Sequence, residues 1–251
     1  MAGHSKFKNI MFRKGAQDKK RAKKFAKLGR EIQIASKQGG ADPNSNHRLR
    51  TAIDAAKAAN VPKDNIERAI KKGSSNETNN LEEIKYEGFG PGGTSLIIET
   101  MTDNKNRTVS EIRQIFSKNG GSIAESGSVS HSFKRKGELI YKTDKTLENK
   151  VFDSAIEEGA DDIISDDENY TIYCDPKKII SIKEKISKLS IDPISVSLTW
   201  ISSNKVDINN REDGKKLFNL INQLEDNEDV QNISSNYDIS KEVFDTIEFD
   251  H

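Results

Sequence analysis

Long apolar runs are missing from this chain. The longest, such as Ser95-Leu96-Ile97-Ile98, fall far short of the roughly 20 residues that a membrane-spanning helix needs, so no transmembrane helix is expected. Cysteine is nearly absent: with Cys174 alone no internal disulfide can form, which suits a reducing compartment. The opening MAGHSKFKNIMFRKG has charge but no apolar core of about 7 to 15 residues and no small-residue cleavage site, so it does not read as a secretory leader. The expected location is the cytoplasm.

Chemistry-bearing motifs are scarce too. His4, His47, His131 and His251 are isolated, with no H-x-x-x-H pair and no cysteine beside them, so zinc is unsupported. The acidic stretch Glu157, Glu158, Asp161, Asp162, Asp166, Asp167 and Glu168 lacks the D-x-D-x-D-G spacing of a calcium loop and reads as a helix end and a solvated turn. Neither G-x-x-x-x-G-K-[ST] nor G-x-S-x-G occurs, which removes the P-loop and the nucleophile elbow. Gly88-Phe89-Gly90-Pro91-Gly92-Gly93 formally fits G-x-G-x-x-G, but it leads into the strand-like TSLIIETMT instead of opening a helix. That context argues for a tight turn before a strand, not a dinucleotide site. No cofactor and no metal are expected, and the chain reads as a non-enzyme. A dispersed catalytic triad would leave no spacing to read, and enzymatic activity stays the weaker hypothesis.

What is present is charge, unevenly placed. The whole chain has 40 Lys and Arg against 40 Asp and Glu. Residues 1–73, however, hold 19 Lys and Arg against 6 Asp and Glu, and the remainder 21 against 34. A split of this size points to a polyanionic partner for the basic part. The candidate nucleic-acid contacts are Lys6, Lys8, Arg13, Lys14, Lys19, Lys20, Arg21, Lys23, Lys24, Lys27 and Arg30. Clustered cations with few acids neutralise several phosphates at once, release counterions, and give salt-dependent affinity with little sequence preference. Phe7 and Phe12 are interleaved and offer rings for base stacking, whereas Phe25 fits an apolar stripe. The competing reading is a solvated helix face, or a surface that docks on the acidic part of the same chain.

The basic part reads as helices. From Asp18, a plausible cap, Ala22, Phe25, Leu28, Ile32 and Ala35 recur at threes and fours up to Gly39-Gly40, marking one helical stripe. Asn44 or Ser45 can cap a second helix with Leu49, Ile53, Ala56 and Ala59, and Pro62 opens a third with Ile66, Ala69 and Ile70 before Gly73. Residues 74–80, SSNETNN, make a polar linker. Thereafter strand-like segments (94–102, 128–133, 138–142, 170–174, 196–201, 230–235) mix with helical ones (108–118, 147–158, 179–189, 212–224), which suggests α+β modules with helices on one face of a sheet. The last helix and strand are about what is needed to complete the module begun at residue 81, so a domain interrupted by an inserted one fits this order. Cys174, inside a strand-like run, reads as a small core residue.

Several long motifs carry a resemblance. AGHSKFKNIMFRKGAQDKKRAKKFAKLGREI, GGADPNSNHRLRTAIDAAKAANVPKDNIERAIKKG, YEGFGPGG and TDNKNRTVSEIR, then NGGSIAESGSVSHSF, EEGADDI and LEDNEDVQN, closely resemble the YebC/PmpR family, which includes mitochondrial translational activators of cytochrome c oxidase. The resemblance covers nearly the whole chain. It implies an α+β multidomain fold: a three-helix domain in residues 1–75, a discontinuous α+β domain in 81–134 plus 206–240, and an inserted α+β domain in 135–205, both of these small and ferredoxin-like. Family members are described either as cytoplasmic DNA-binding transcriptional regulators or as ribosome-associated translation factors. The implied partner is thus DNA or ribosomal RNA, with the ribosome as a further partner, no membrane, and a monomeric or weakly oligomeric chain. A protein-interaction scaffold is the third reading. Matching the family's N-terminal pattern picks out His4, Ser5, Lys6, Asn9, Arg13, Lys14, Asp18, Lys20, Arg21, Lys24 and Arg30. Phe7 stands where the family pattern has tryptophan, keeping a stacking surface without the indole N–H, and Ser202 stands where relatives often have proline.

Overall fold

A computed structural model of the chain describes residues 17–75 and 81–247. Along the chain it begins with helices α1 (Gln17–Gly39), α2 (His47–Ala58) and α3 (Lys63–Ser74). Next come β1 (Glu82–Phe89), β2 (Ser95–Thr102), α4 (Lys105–Lys118), β3 (Ser122–Ala124) and β4 (Phe133–Lys142). Then follow α5 (Glu148–Glu157), β5 (Ala160–Ser165), β6 (Asn169–Cys174), α6 (Ile179–Ser187) and β7 (Ser195–Ser202). The chain closes with β8 (Val206–Ile208), α7 (Arg211–Asp226), β9 (Val230–Ser235), β10 (Tyr237–Ile239) and α8 (Lys241–Asp245). These form two compact units, Met1–Asn79 with Arg135–Thr199 and Asn80–Lys134 with Trp200–His251.

In the first unit the three helices close on a small core of Ile32, Ala35, Leu49, Ala52, Ile53, Ala56, Ile66 and Ala69. These are the apolar positions at helical spacing, which turn one stripe of each helix inward. The expected stripe of α1 is buried only in its second half: Ala22 is exposed, and Phe25 and Leu28 are half-buried. The same unit contains β4-α5-β5-β6-α6-β7 in the strand order β5-β6-β4-β7, the split β-α-β arrangement of ferredoxin-like domains. Leu139, Tyr141, Tyr170, Ile172 and Cys174 of the sheet pack against Val151, Ala155, Ile179, Ile182 and Ile186 of α5 and α6. Cys174 is a core residue, as its strand-like setting suggested. Lys183 of α6 pairs with Asp54 of α2 at 3.0 Å.

The acidic stretch is not all turn. Asp161 and Asp162 lie in β5, paired to β6 on one side only. Acids on an edge strand discourage pairing with another chain, and their polarity hid the strand from the sequence.

The second unit is built on an antiparallel sheet of order β3-β1-β2-β9. Three of its strands precede residue 125 and the fourth follows residue 229. β1 and β2 form a hairpin closed by the glycine motif: Gly90 N–H donates to the Thr94 carbonyl at 2.8 Å, and Gly92 and Gly93 take φ of 69° and 76°, values that favour glycine. A tight turn before a strand is therefore the motif's role. The two family-like motifs TDNKNRT and LEDNEDVQN meet at Asp229. This buried carboxylate accepts from Arg107 Nη2 and Thr108 Oγ1 at 2.8 Å and from Thr102 Oγ1 at 3.1 Å, which ties the β2–α4 junction to the start of β9. Ser202 Oγ donates to the Ser132 carbonyl at 3.2 Å, a bond that a proline at that position could not make.

Ser128–Phe133 does not form the expected strand. Residues Ser130–Ser132 make a single 3-10 turn before β4. The backbone N–H groups of Val129 and Ser130 are drawn inward to Glu87 Oε2 at 2.8 and 3.0 Å, which takes them from any neighbouring strand.

Candidate nucleic-acid interface

α1 positions the described cations. Residues 17–31 of it, Gly29 apart, are mostly good helix formers, with no β-branched residue before Ile32. Lys23, Lys27 and Arg30 follow at spacings of four and three, so at 3.6 residues per turn they share one face over roughly 10 Å of helix. Lys23 and Lys24 are exposed, and Lys27 and Arg30 half-buried. Lys19, Lys20 and Arg21 belong to the first turns of α1. Lys6, Lys8, Arg13, Lys14 and the stacking candidate Phe7 lie outside the described residues.

The bundle leaves the cationic half of α1 without an α3 neighbour. Ser36 Oγ donates to the Ile70 carbonyl at 3.1 Å. Gly73 packs on the backbone of Gln33 so tightly that a Cβ there would sit 2.2 Å from the Gln33 carbonyl oxygen. These two contacts, 36 with 70 and 33 with 73, fix an antiparallel pairing. α3 ends at Ser74, so residues 17–31 of α1 run past its last residue. Like charges at i,i+4, such as Lys23 with Lys27, destabilise a helix by a few tenths of a kcal/mol. An anionic partner reverses the sign of that term.

Among the other cations of the bundle, some serve the fold and some stand exposed. Arg48 and Arg50 serve the fold: Arg48 holds Glu31, with Nε to Oε1 at 2.8 Å and Nη2 to Oε2 at 3.2 Å, and Gln38 through Nη1 at 2.8 Å. Arg50 donates to the carbonyls of Pro43 and Asn44 at 3.0 and 2.8 Å. By contrast Lys71 and Lys72 are exposed on the last turn of α3, next in sequence to Gly73. Lys37 is exposed in the last turn of α1, seven residues after Arg30 and so on the same face. Sequence reasoning counted these three lysines in the charge excess but did not assign them. The only signal was the Lys-Lys-Gly triplet, and its meaning depends on the Gly73–Gln33 packing.

α2 and α3 are joined by four residues, 59–62, a connection of helix-turn-helix length. The first turns of α3 carry Asp64 and Glu67, the latter paired with Lys63 at 3.5 Å, and Arg68 is bonded to Asn65 within the same helix. That end carries no net positive charge, two acids standing against two cations, whereas a recognition helix reads bases from its N-terminal residues. The described cations outside these pairs lie chiefly along α1.

Comparison with known proteins matches this architecture along the chain. Residues 5–76 match the N-terminal domain of the TACO1/YebC protein, and residues 81–237 match the TACO1/YebC second and third domain. The chain belongs to the TACO1/YebC family. A probable transcriptional regulatory protein of Zymomonas mobilis is 47% identical over 247 residues, covering 98% of this chain and 99% of its own sequence. One from Persephonella marina is 47% identical over 249 residues, covering 98% and 100%. The crystal structure of a conserved hypothetical protein from Aquifex aeolicus superposes with a TM-score of 0.82 at 42% identity, covering 88% of this chain and 91% of the other. In this TACO1/YebC chain no described helix is long and apolar enough to cross a membrane.

Proposed function

We propose that this chain is a nucleic-acid-binding regulator of gene expression, acting in transcription through DNA, and that the cationic face of α1 is its grip. The observation that carries the reading is the alignment of Lys23, Lys27 and Arg30 on the half of α1 that extends past α3. The names of the 47% identical relatives, both probable transcriptional regulatory proteins, agree with it. Phosphates are neutralised along the helix, and sequence preference arises from the shape of the polymer more than from base edges.

The absence of net positive charge in the first turns of α3, where a base-reading helix would meet DNA, favours a second reading, in which the polymer is structured ribosomal RNA and the protein acts in translation. RNA helices are recognised largely by shape and phosphate path, which suits a helix with cations along its length. Crosslinking in cells followed by sequencing of the bound nucleic acid decides between them. Enrichment of promoter DNA is the expected result, and reads dominated by ribosomal RNA overturn the transcriptional reading in favour of the translational one.

A further inference from the structure

We infer that Arg48 is an electrostatic shield for the α1 interface: it neutralises Glu31, the acid that borders the cationic face, and does not itself bind phosphate. The inference rests on the reading of α1 as the nucleic-acid grip. Glu31 follows Lys27 by four residues and Lys24 by seven, so its carboxylate stands on the flank of the lysine row. Unneutralised, it would repel the phosphates that those lysines attract.

The geometry suits masking. Arg48 meets the Glu31 carboxylate in a two-pronged contact at 2.8 and 3.2 Å, and its third guanidinium nitrogen donates to Gln38 at 2.8 Å. All three nitrogens are thus turned to α1. The two side chains are each 31% exposed, so the pair is neither fully screened by water nor sealed inside the core. Arg48 is also the second residue of α2, a helix with no acid in its first turn. A cation there opposes the helix dipole, so its placement is explained by the tertiary partner and not by the helix that carries it.

Masking and phosphate contact make opposite predictions for a charge-neutral replacement of the pair. The test measures binding of a labelled duplex DNA and a labelled RNA hairpin across a salt series, with circular dichroism as a check on folding. Glu31→Gln should tighten binding roughly threefold and Arg48→Met weaken it roughly threefold, as expected for one unit charge several ångströms from a phosphate. The double variant Glu31→Gln with Arg48→Met should return to within twofold of the wild type and keep its salt slope. A double variant as weak as Arg48→Met, with a slope reduced by about 0.9, makes Arg48 a phosphate ligand and overturns the shield. The single variant Glu31→Gln keeps the test decisive should Arg48→Met unfold: no gain in affinity contradicts the inference. Lys23→Gln, Lys27→Gln and Arg30→Gln combined serve as the control. If that triple variant loses binding while the Glu31 and Arg48 variants behave as wild type, the shield alone fails. If the triple variant binds like the wild type, the α1 reading fails and the shield with it.

Discussion

The side-chain amide of Asn46 donates a 2.8 Å hydrogen bond to the carbonyl oxygen of Ala35, joining the residue before α2 to the end of α1. The same nitrogen reaches the Gly40 carbonyl at 2.8 Å, and Asn46 Oδ1 accepts from Leu49 N–H at 3.0 Å. One buried side chain thus caps the start of α2 and secures the turn after α1, which fixes the direction in which the cationic helix leaves the bundle. Gly39 is small for the same reason: a Cβ there would lie 2.6 Å from the Asn46 amide nitrogen.

Asn46→Ala is expected to destabilise the first unit by about 1–3 kcal/mol, from a lost cap and the loss of the hydrogen bonds to the Ala35 and Gly40 carbonyls. Asn46→Asp keeps the acceptor for Leu49 but presents a carboxylate to two carbonyl oxygens, so it should not restore stability. Urea denaturation checks both, and an aspartate variant as stable as the wild type sinks the assignment.

Two glycines in the helices make opposite predictions. Gly73→Ala drives a Cβ into the Gln33 carbonyl and should cost about 1–3 kcal/mol or more. Gly29, inside α1 with nothing within 4 Å of its would-be Cβ, should gain about 1 kcal/mol on replacement by alanine. Thermal unfolding of the two variants reads the contrast directly. Equal effects would mean that α3 does not seat on α1 at Gln33.

In the second unit, burial by itself would raise the pKa of Glu87. The N–H groups of Val129, Gly127 and Ser130 outweigh burial and pull it down to about 2, and Lys85 Nζ lies 3.2 Å from Oε1. A carboxylate with a depressed folded-state pKa contributes stability that is fully present above its unfolded value near 4.3 and is lost as pH falls toward 2. Unfolding free energy should therefore drop between about pH 4.5 and 2, and Glu87→Gln should flatten that drop while lowering stability at neutral pH. Amide hydrogen exchange at Val129 and Ser130 should accelerate in Glu87→Ala. Unchanged exchange there would contradict the clamp.

The helices were legible because their cores repeat at threes and fours: Ile32 and Ala35, Leu49 and Ala56, Ile66 and Ala69 all bury as their spacing requires. Caps and short strands were less so. The cap of α2 is Asn46 and not Asn44 or Ser45, because the choice is made by carbonyls eleven and six residues back, which no local pattern contains. β1 was missed because EEIKYEGF alternates charge with apolar residues, and its buried acid is satisfied by a loop some forty residues away. Val129 was read as part of a strand for the complementary reason: its N–H is spent on that acid. The cationic cluster of α1 was readable from composition, but the neutralisation of Glu31 by Arg48, seventeen residues apart, depends on how the helices pack.

The most direct test of the account is the salt dependence of nucleic-acid binding by the full chain and by the combined Lys23→Gln, Lys27→Gln and Arg30→Gln variant, with helix content checked by circular dichroism. Fluorescence anisotropy should show log affinity falling linearly with log salt for the wild type. The triple variant, still folded, should bind more weakly with a slope reduced by about 2–3, close to 0.9 for each phosphate that is no longer neutralised. An unchanged affinity and slope in the folded variant would contradict the claim that α1 is the nucleic-acid grip.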